Sequence, residues 1–246
     1  MKIATLNIDW ARKLKRHKTE QFFSGFDFDI LVITEGIDLN LPGYPYKCLC
    51  EPIPENTLYE GLNYTEYLEG ETAYRTVIYS KYPYTKRFEV RDNRTSLALE
   101  FETDSGSNVI YASIVGTQFR KKPYVQTELD NLITDCQRIY DKNQNLIIVG
   151  DLNTSFRENE KQYCINSAAT HVLTALFDSL GLYVPTNALE QNIDHIVIPK
   201  VFVNKVVECV VFVEKDVASD HKGISLILLN CNTYKVLKTL QESPQI

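Results

Sequence analysis

Acidic and amide residues follow several apolar, strand-like segments of this sequence at the point where each segment ends. The residues of this kind are Asn7 after KIATL, Glu35 after DILVIT, Asp151 and Asn153 after NLIIVG, Asp194 within NIDHIVI, and Asp220 with His221 before KGISLIL. A carboxylate at the buried end of a strand is desolvated, which is tolerated only when the group has partners. Because loops at one end of a sheet commonly carry functional sites, the set indicates one site built from distant parts of the chain.

Each member of this set also has a purely structural explanation when it is considered singly. Asn7 can cap a following turn or helix, and Glu35 can be a solvated turn residue. Asp151 and Asn153 can form an Asx turn. Asp194 is harder to explain in this way because it interrupts an apolar strand and needs a partner. For most single residues the structural explanation is better than a functional one. For all of them together, in this order along these strands, a functional site is the better explanation.

The residue types match hydrolysis of a phosphoester assisted by a divalent cation. Glu35 offers the hard oxygen ligands that Mg²⁺ prefers, and bound Mg²⁺ stabilises charge that builds on a phosphate. Asp151 can accept a proton from an attacking water. Asn153, two residues further along the extended chain, lies on the same face and can hold that water or a phosphate oxygen. His221 can donate to a phosphoryl oxygen, with Asp194 as the carboxylate that fixes its tautomer.

Apolar runs and alternating segments predict β-strands with helices between them. The helices predicted from apolar periodicity are 10–24, 124–141 and 168–180. Residues 51–72 are polar and rich in turn formers, and predict a long loop. Buried runs together with half-buried strands joined by hairpins favour an α/β fold with two mixed β-sheets packed face to face and helices outside. We expect one domain over residues 1–246, with a frayed tail at 231–246.

Composition narrows the class of protein. The net charge of −6 argues against a protein held to nucleic acid by bulk charge, although a local basic groove remains compatible with it. No apolar run approaches the roughly 18 residues that cross a bilayer, and the N-terminus lacks a signal-peptide core. The six cysteines show no CxxC and no disulfide framework, which favours reduced core cysteines. We therefore expect a cytoplasmic protein without membrane contact.

Five short motifs, TLN, ITEG, GDLN, IDHI and SDHKG, occur in this order along the chain. In this pattern the sequence resembles the endonuclease/exonuclease/phosphatase superfamily, whose members include deoxyribonuclease I, apurinic-site endonucleases, sphingomyelinases and inositol-phosphate 5-phosphatases. The similarity covers residues 2 to about 229. The resemblance implies a four-layer α/β sandwich and hydrolysis of a phosphoester that depends on Mg²⁺ or Mn²⁺.

The resemblance also implies roles for individual residues. Asn7 and Glu35 would lie at the metal, and Asp220 would contact the metal or steady the site. Asp151 would orient or deprotonate the attacking water, with Asn153 beside it. These residues would form the metal and nucleophile side of the site.

Two further residues take roles on the phosphate side. His221 would bind the scissile phosphate, and Asp194 would orient His221. The segment AYRTVIYSKYP resembles the family's central strand, from which Arg75 would reach the site to bind substrate. A solvated arginine at the edge of a strand is an equal alternative for Arg75.

One position departs from the family pattern. Many members carry His, and some Tyr, where this sequence has Gln118 at the end of NVIYASIVGTQF. Glutamine can donate a hydrogen bond to phosphate but cannot act as a proton donor, so two alternatives stay open: the same chemistry at a lower rate, or a different substrate. Arg120 and Lys121 follow and are expected on the rim of the site, with Lys222, as collectors of negative charge. The other basic segment, RKLKRHK at 12–18, fits a solvated helix face better than a phosphate track.

Three functions remain open from the sequence. The first is a metal-dependent nuclease acting on a phosphodiester in nucleic acid. The second is a phosphomonoesterase or a hydrolase of a small phosphodiester. The third is a phosphate- or partner-binding module that has lost catalysis, which Gln118 favours and the intact acidic set opposes.

Overall fold

The computed structural model of the chain describes residues 1–55, 58–59, 62–63, 68, 70–103, 106–116, 124–163 and 167–229. Gln118, Arg120 and Lys121 lie outside the described residues, as does the tail predicted at 231–246. Among the helices in the described ranges, none is both long enough and apolar enough to cross a membrane.

Strands dominate the described residues, and helices separate some of them. The strands are β1 (Lys2–Asn7), β2 (Ile30–Ile37), β3 (Tyr46–Leu49), β4 (Leu58–Tyr59), β5 (Leu62–Asn63), β6 (Ala73–Ser80), β7 (Tyr84–Arg87), β8 (Leu97–Thr103), β9 (Gly106–Ile114), β10 (Leu146–Asp151), β11 (Leu182–Tyr183), β12 (Asp194–Pro199), β13 (Val206–Val213) and β14 (Gly223–Leu228). The α-helices are α1 (Lys15–Ser24), α2 (Tyr124–Tyr140) and α3 (Ser167–Ser179). Short 3₁₀ segments cover Asp9–Ala11, Glu158–Tyr163, Pro185–Ala188 and Lys200–Lys205. The second and third predicted helices therefore lie within one residue of their expected ends.

Two six-stranded sheets carry the architecture. The first sheet has the order β13-β14-β1-β2-β6-β3, and the second has the order β11-β12-β10-β9-β8-β7. Each sheet has one parallel pair at its centre, β1 with β2 and β9 with β10, among antiparallel neighbours. Both sheets are thus mixed, as the combination of buried runs and hairpin-linked strands predicts.

The sheets pack face to face through one apolar core. Ile3 and Val32 of the first sheet and Ile110 and Ile147 of the second belong to this core, and all are fully buried. Cys48 and Cys50 also lie in it as free thiols, which agrees with the expectation of reduced core cysteines.

Helices cover the outer faces of both sheets. Phe23 of α1 packs on the outer face of the first sheet. Leu129 of α2 and Leu173 of α3 pack on the outer face of the second sheet. Helix, sheet, sheet and helix form four layers, so the predicted four-layer α/β sandwich is confirmed.

The segment after β1 differs from the single helix predicted over 10–24. The chain enters a tight turn, with left-handed φ values of 46° at Asp9, 48° at Trp10 and 59° at Ala11, and α1 begins only at Lys15. The backbone N–H of Asp9 donates to Asn7 Oδ1 at 2.9 Å, which closes the turn directly after the strand. Because this side-chain contact competes with helix formation, the helix starts late.

Candidate active site

The strand ends predicted to carry function lie at one edge of the packed sheets. β1 ends at Asn7 and β10 ends at Asp151, while β12 runs antiparallel to β10 and begins at Asp194. Asp151 and Asp194 are directly opposite each other in this ladder. His221 precedes β14, which pairs antiparallel with β1 and therefore starts beside the end of β1. Strand direction alone thus brings together residues that are far apart in the sequence.

Asp151 is positioned by the glycine before it. Gly150 has φ +136°, and a Cβ at this position would lie 2.0 Å from the carbonyl oxygen of Ser113 on β9. Only glycine can occupy this position without a backbone shift. The glycine of GDLN therefore lets β10 approach β9 closely at the point where the strand presents its carboxylate.

The Asp151 carboxylate is held by two asparagines. Asn7 Nδ2 donates to Oδ2 at 3.0 Å, and Asn153 Nδ2 donates to the same oxygen at 3.1 Å. The backbone N–H of Asn153 donates to Oδ1 at 2.8 Å. Burial raises the pKa of Asp151; His221 opposes this effect, and neighbouring carboxylates, including that of Glu35, add to it. A carboxyl group with a raised pKa is a proton acceptor suited to neutral pH.

His221 is oriented by Asp194. His221 Nδ1 lies 2.7 Å from Asp194 Oδ2, and the backbone N–H of His221 donates to Ser219 Oγ at 3.0 Å. Burial lowers the pKa of His221, but the carboxylates of Asp194 and Asp151 outweigh burial and hold this pKa well above its usual value. The ring is therefore protonated at neutral pH and its Nε2 remains a donor, 3.9 Å from Asp151 Oδ2.

Glu35 has an unusual backbone conformation within β2. Its φ of 45° lies in the left-handed region, which is strained for a residue other than glycine and is found most often at functional sites. Burial raises the pKa of Glu35 to about 7, against the charge of His221 and a hydrogen bond from Asn7. Asn7, which is hydrogen-bonded to Asp151, therefore also favours the charged form of Glu35.

The donor atoms at this edge suit a hard divalent cation. Asp151 and Asp194 present carboxylate oxygens within 4.8 Å of each other and of the His221 ring, and Glu35 is close enough for its charge to raise the pKa of Asp151. Among the described residues, Asp194 Oδ1 is buried without a hydrogen-bond partner. Desolvated carboxylates of this kind carry negative charge that Mg²⁺ or Mn²⁺ neutralises through oxygen ligands. The metal expected from the sequence therefore fits these residues.

Two further predicted residues lie at the rim. The Asp220 side chain is 68% exposed, and its Oδ1 lies 4.0 Å from His221 Nε2. Lys222 Nζ donates to the carbonyl of Glu190 at 3.0 Å and lies 3.7 Å from Glu214 Oε2. Both residues flank His221 in the sequence, and their contacts with metal or substrate stay predictions.

Arg75 is fully buried, so the alternative of a solvated strand-edge arginine is wrong. Its Nη1 donates to Thr95 Oγ1 at 2.8 Å, and its Nη2 forms an ion pair with Glu128 of α2. Glu128 also accepts the backbone N–H of Gly116. The charge of Arg75 still acts on the site because it lowers the pKa of Glu35. Direct contact between Arg75 and a substrate stays a prediction.

His195 supports the site and was not singled out from the sequence. Its Nε2 lies 2.8 Å from the carbonyl of Thr154, so Nε2 carries the proton, and Nδ1 accepts from Thr186 Oγ1 at 2.9 Å. The ring also packs edge-on against Phe156. These contacts fix the loop after β10 onto β12. Alternation along β12 places Asp194 and Ile196 on one face and His195 with Val197 on the opposite face, under the helices. The available signal was a histidine within the apolar run IDHIVI.

His195 is expected to make the protein less stable in acid. Burial lowers the pKa of His195 from 6.5 to about 4, so between these values the folded state binds fewer protons than the unfolded state. The free energy of unfolding should fall by about 1 kcal/mol for each pH unit below roughly 6.5. Urea denaturation at pH 7 and pH 5 measures this loss. A His195→Gln variant should lose less stability over that interval than the wild type, and equal losses would contradict the assignment.

Comparison with known proteins agrees with this geometry. A family model described as the Endonuclease/Exonuclease/phosphatase family matches residues 4–221. A search of curated protein sequences found no significant similarity.

Several solved structures share the fold at low sequence identity. The 3′-5′ exonuclease NExo from Neisseria meningitidis is 16% identical, with a TM-score of 0.65 over 93% of this chain and 99% of that chain. An AP endonuclease from Archaeoglobus fulgidus is 14% identical, with a TM-score of 0.68 over 93% and 99%. The endonuclease domain of TRAS1, a telomere-specific non-LTR retrotransposon, is 13% identical, with a TM-score of 0.60 over 93% and 98%. Since the family model spans most of the sequence and the fold agrees, the chain belongs to the endonuclease/exonuclease/phosphatase family of metal-dependent phosphoesterases.

Proposed function

We propose that this protein hydrolyses a phosphodiester bond in nucleic acid, using Mg²⁺ or Mn²⁺ and an activated water. The observation that carries the proposal is the position of His221, oriented by Asp194, with Nε2 facing Asp151 across 3.9 Å. A hydrogen-bond donor to phosphate and a proton acceptor therefore lie side by side. The substrate class is supported by the similar structures, which include an AP endonuclease and the Neisseria enzyme NExo, described once as a 3′-5′ exonuclease and once, bound to a product DNA hairpin, as a 3′ phosphatase.

The described side chains divide the reaction between them. Asp151 accepts a proton from the water that attacks phosphorus, and Asn153 and Asn7 hold its carboxylate in place. His221 donates from Nε2 to a non-bridging phosphoryl oxygen and so stabilises the charge that develops in the transition state. Asp194 keeps the imidazole oriented for this donation.

The metal would be held on the Glu35 side of the site, with Asn7 and Asp220 near it. When bound, Mg²⁺ or Mn²⁺ supplies a Lewis acid that polarises the phosphoryl group. Glu35 contributes a carboxylate whose charge is disfavoured by burial, so a cation at this position relieves an unfavourable arrangement.

A phosphomonoesterase is the second candidate. One of the similar structures is described as a 3′ phosphatase, which favours a terminal phosphate as substrate. The net charge of −6 also provides no bulk attraction for a polynucleotide.

Hydrolysis assays with controlled metal content test the proposal. Purified protein is assayed on plasmid DNA, single-stranded DNA, RNA, nucleotides and sugar phosphates, with Mg²⁺, Mn²⁺ or EDTA. We expect cleavage of nucleic acid with either metal and none with EDTA. The rate at low nucleic-acid concentration should fall steeply with added salt, because phosphate contacts depend on counterion release, whereas hydrolysis of a small substrate should change little.

An Asp151→Asn variant is the control for contaminating nucleases, because it keeps the shape of the side chain and removes the proton acceptor. Metal-dependent cleavage should disappear with this variant. Cleavage that persists in EDTA would contradict the metal requirement. If no phosphoester in the panel is hydrolysed with either metal, the enzymatic function fails and a phosphate-binding module is favoured.

A further inference from the structure

Ser219 lies in the loop between β13 and β14, two residues before His221, and only 1% of its surface is exposed. We propose that Ser219 is a positioning residue for the reaction. It fixes His221 relative to Asp151 by tying the loop that carries His221 to the end of β1. The inference rests on the proposed function, because it concerns the geometry of the same active site.

The Ser219 hydroxyl joins two parts of the site through one oxygen atom. Its Oγ donates to the carbonyl oxygen of Asn7, the last residue of β1, at 2.5 Å. The same oxygen accepts the backbone N–H of His221 at 3.0 Å. A hydroxyl can make both bonds because it carries one donor and two acceptor positions. An alanine at this position would remove both bonds at once.

These bonds lie just past the end of the ladder between β1 and β14. Thr5 pairs with Ile224 in that ladder. β14 begins one residue before this pair, at Gly223, whereas β1 continues two residues beyond it, to Asn7. The Ser219 side chain supplies the donor to the Asn7 carbonyl there. A side chain therefore extends the connection between the two strands as far as the residues that carry the chemistry.

Ser219 also completes a closed chain of contacts around the site. Asn7 Nδ2 donates to Asp151 at 3.0 Å, and Asp151 Oδ2 lies 3.9 Å from His221 Nε2. The backbone of His221 then returns through Ser219 to Asn7. Asp194 holds the imidazole through a bond to Nδ1, which sets the orientation of the ring. The distance from Nε2 to Asp151 depends in addition on where the backbone of His221 lies, and Ser219 fixes that backbone.

The loop before His221 holds Ser219 firmly enough for this role. The backbone N–H of Asp216 donates to the carbonyl of Ser219 at 2.7 Å, across a residue whose φ of 69° lies in the left-handed region. Ala218 is buried in the apolar cluster between the first sheet and α1. Ser219 is thus anchored through its own backbone and through its neighbour, so its hydroxyl can act as a fixed point for His221.

Steady-state kinetics on a single-stranded DNA oligonucleotide with Mn²⁺ tests the role. Ser219→Ala should lower kcat by at least about tenfold, because a shift of about 1 Å in a catalytic group is enough for such a loss. KM should change by less than about threefold, since no contact with the substrate is removed. Ser225→Ala is the matched control. It removes a hydroxyl from a buried position on β14 that lies beside Ala4, on the helix-covered face of the sheet, and it should leave kcat unchanged.

A double-mutant cycle separates positioning of His221 from a general effect on the fold. If Ser219 acts through His221, Ser219→Ala should lower kcat by less than about twofold once His221 has been replaced by alanine. Equal factors in the two backgrounds would mean that Ser219 supports the fold only, and the proposal would be overturned. Thermal melting shows that each variant is folded. If Ser219→Ala does not fold, Ser219→Cys, whose thiol is a weak donor, replaces it in every measurement.

NMR of the imidazole groups tests the position without turnover. The chain has four histidines, and His221→Ala identifies the signals of His221. With Mg²⁺, the Nδ1–H bonded to Asp194 should give a resolved proton signal in the wild type and in Ser225→Ala, and this signal should broaden or disappear in Ser219→Ala. An unchanged signal in Ser219→Ala overturns the positioning role, while any hydrolysis leaves the proposed function standing. If no substrate is hydrolysed but the signal is lost in Ser219→Ala, the positioning role stands and the proposed function fails.

Discussion

Replacing His221 by alanine is expected to lower phosphoester hydrolysis by at least about a hundredfold, because a preorganised donor to the developing phosphoryl charge is lost. His221 Nδ1 is held 2.7 Å from Asp194 Oδ2, and its Nε2 lies 3.9 Å from Asp151 Oδ2. The loss should appear in kcat at saturating metal and substrate. Near-normal turnover would refute the role of His221.

Two companion variants sharpen this result. Asp194→Asn keeps the shape of the partner but removes the carboxylate that orients the imidazole, so it should also lower kcat strongly. His171 is exposed on α3, and His171→Ala should leave kcat unchanged. Thermal melting of each variant separates loss of chemistry from loss of folding. If Asp194→Asn has the same kcat as the wild type, Asp194 is not the residue that orients the His221 ring.

Replacing Glu128 by alanine is expected to destabilise the fold by about 3–5 kcal/mol, the usual effect of leaving a buried charge without its partner. Arg75 and Glu128 form an ion pair with side-chain exposures of 0% and 2%. Glu128 also accepts the N–H of Gly116, which would lose its partner as well. Urea denaturation measures the change in the free energy of unfolding.

Asp130→Ala on the same helix is the matched control. Because Asp130 is exposed, this substitution should lower the free energy of unfolding by less than about 0.5 kcal/mol. A double variant, Arg75→Leu with Glu128→Leu, removes both charges. Its loss in the free energy of unfolding should be smaller than the sum of the losses measured for Arg75→Leu and Glu128→Leu made separately. If Glu128→Ala lowers the free energy of unfolding by less than about 1 kcal/mol, water or another group compensates the buried charge of Arg75.

The sequence determined the longer strands, two of the helices and the polar residues at the strand ends, but not the two-residue strands β4, β5 and β11. Buried runs such as LIIV at 146–149 are local signals, and the apolar spacing of α2 is another. GDLN was informative because Gly150 and Asp151 are needed together, the first for a close backbone approach and the second for its carboxylate. The family membership followed from five such motifs in order.

Only the tertiary structure decided how distant residues pair. The register that sets Asp151 opposite Asp194 and the burial of Arg75 against Glu128 both depend on contacts between separate elements. Local periodicity reports which face of an element is apolar, but not which other element covers it. For this reason the sequence left Arg75 either at the site or at a solvated strand edge, whereas the fold buries it against Glu128 of α2.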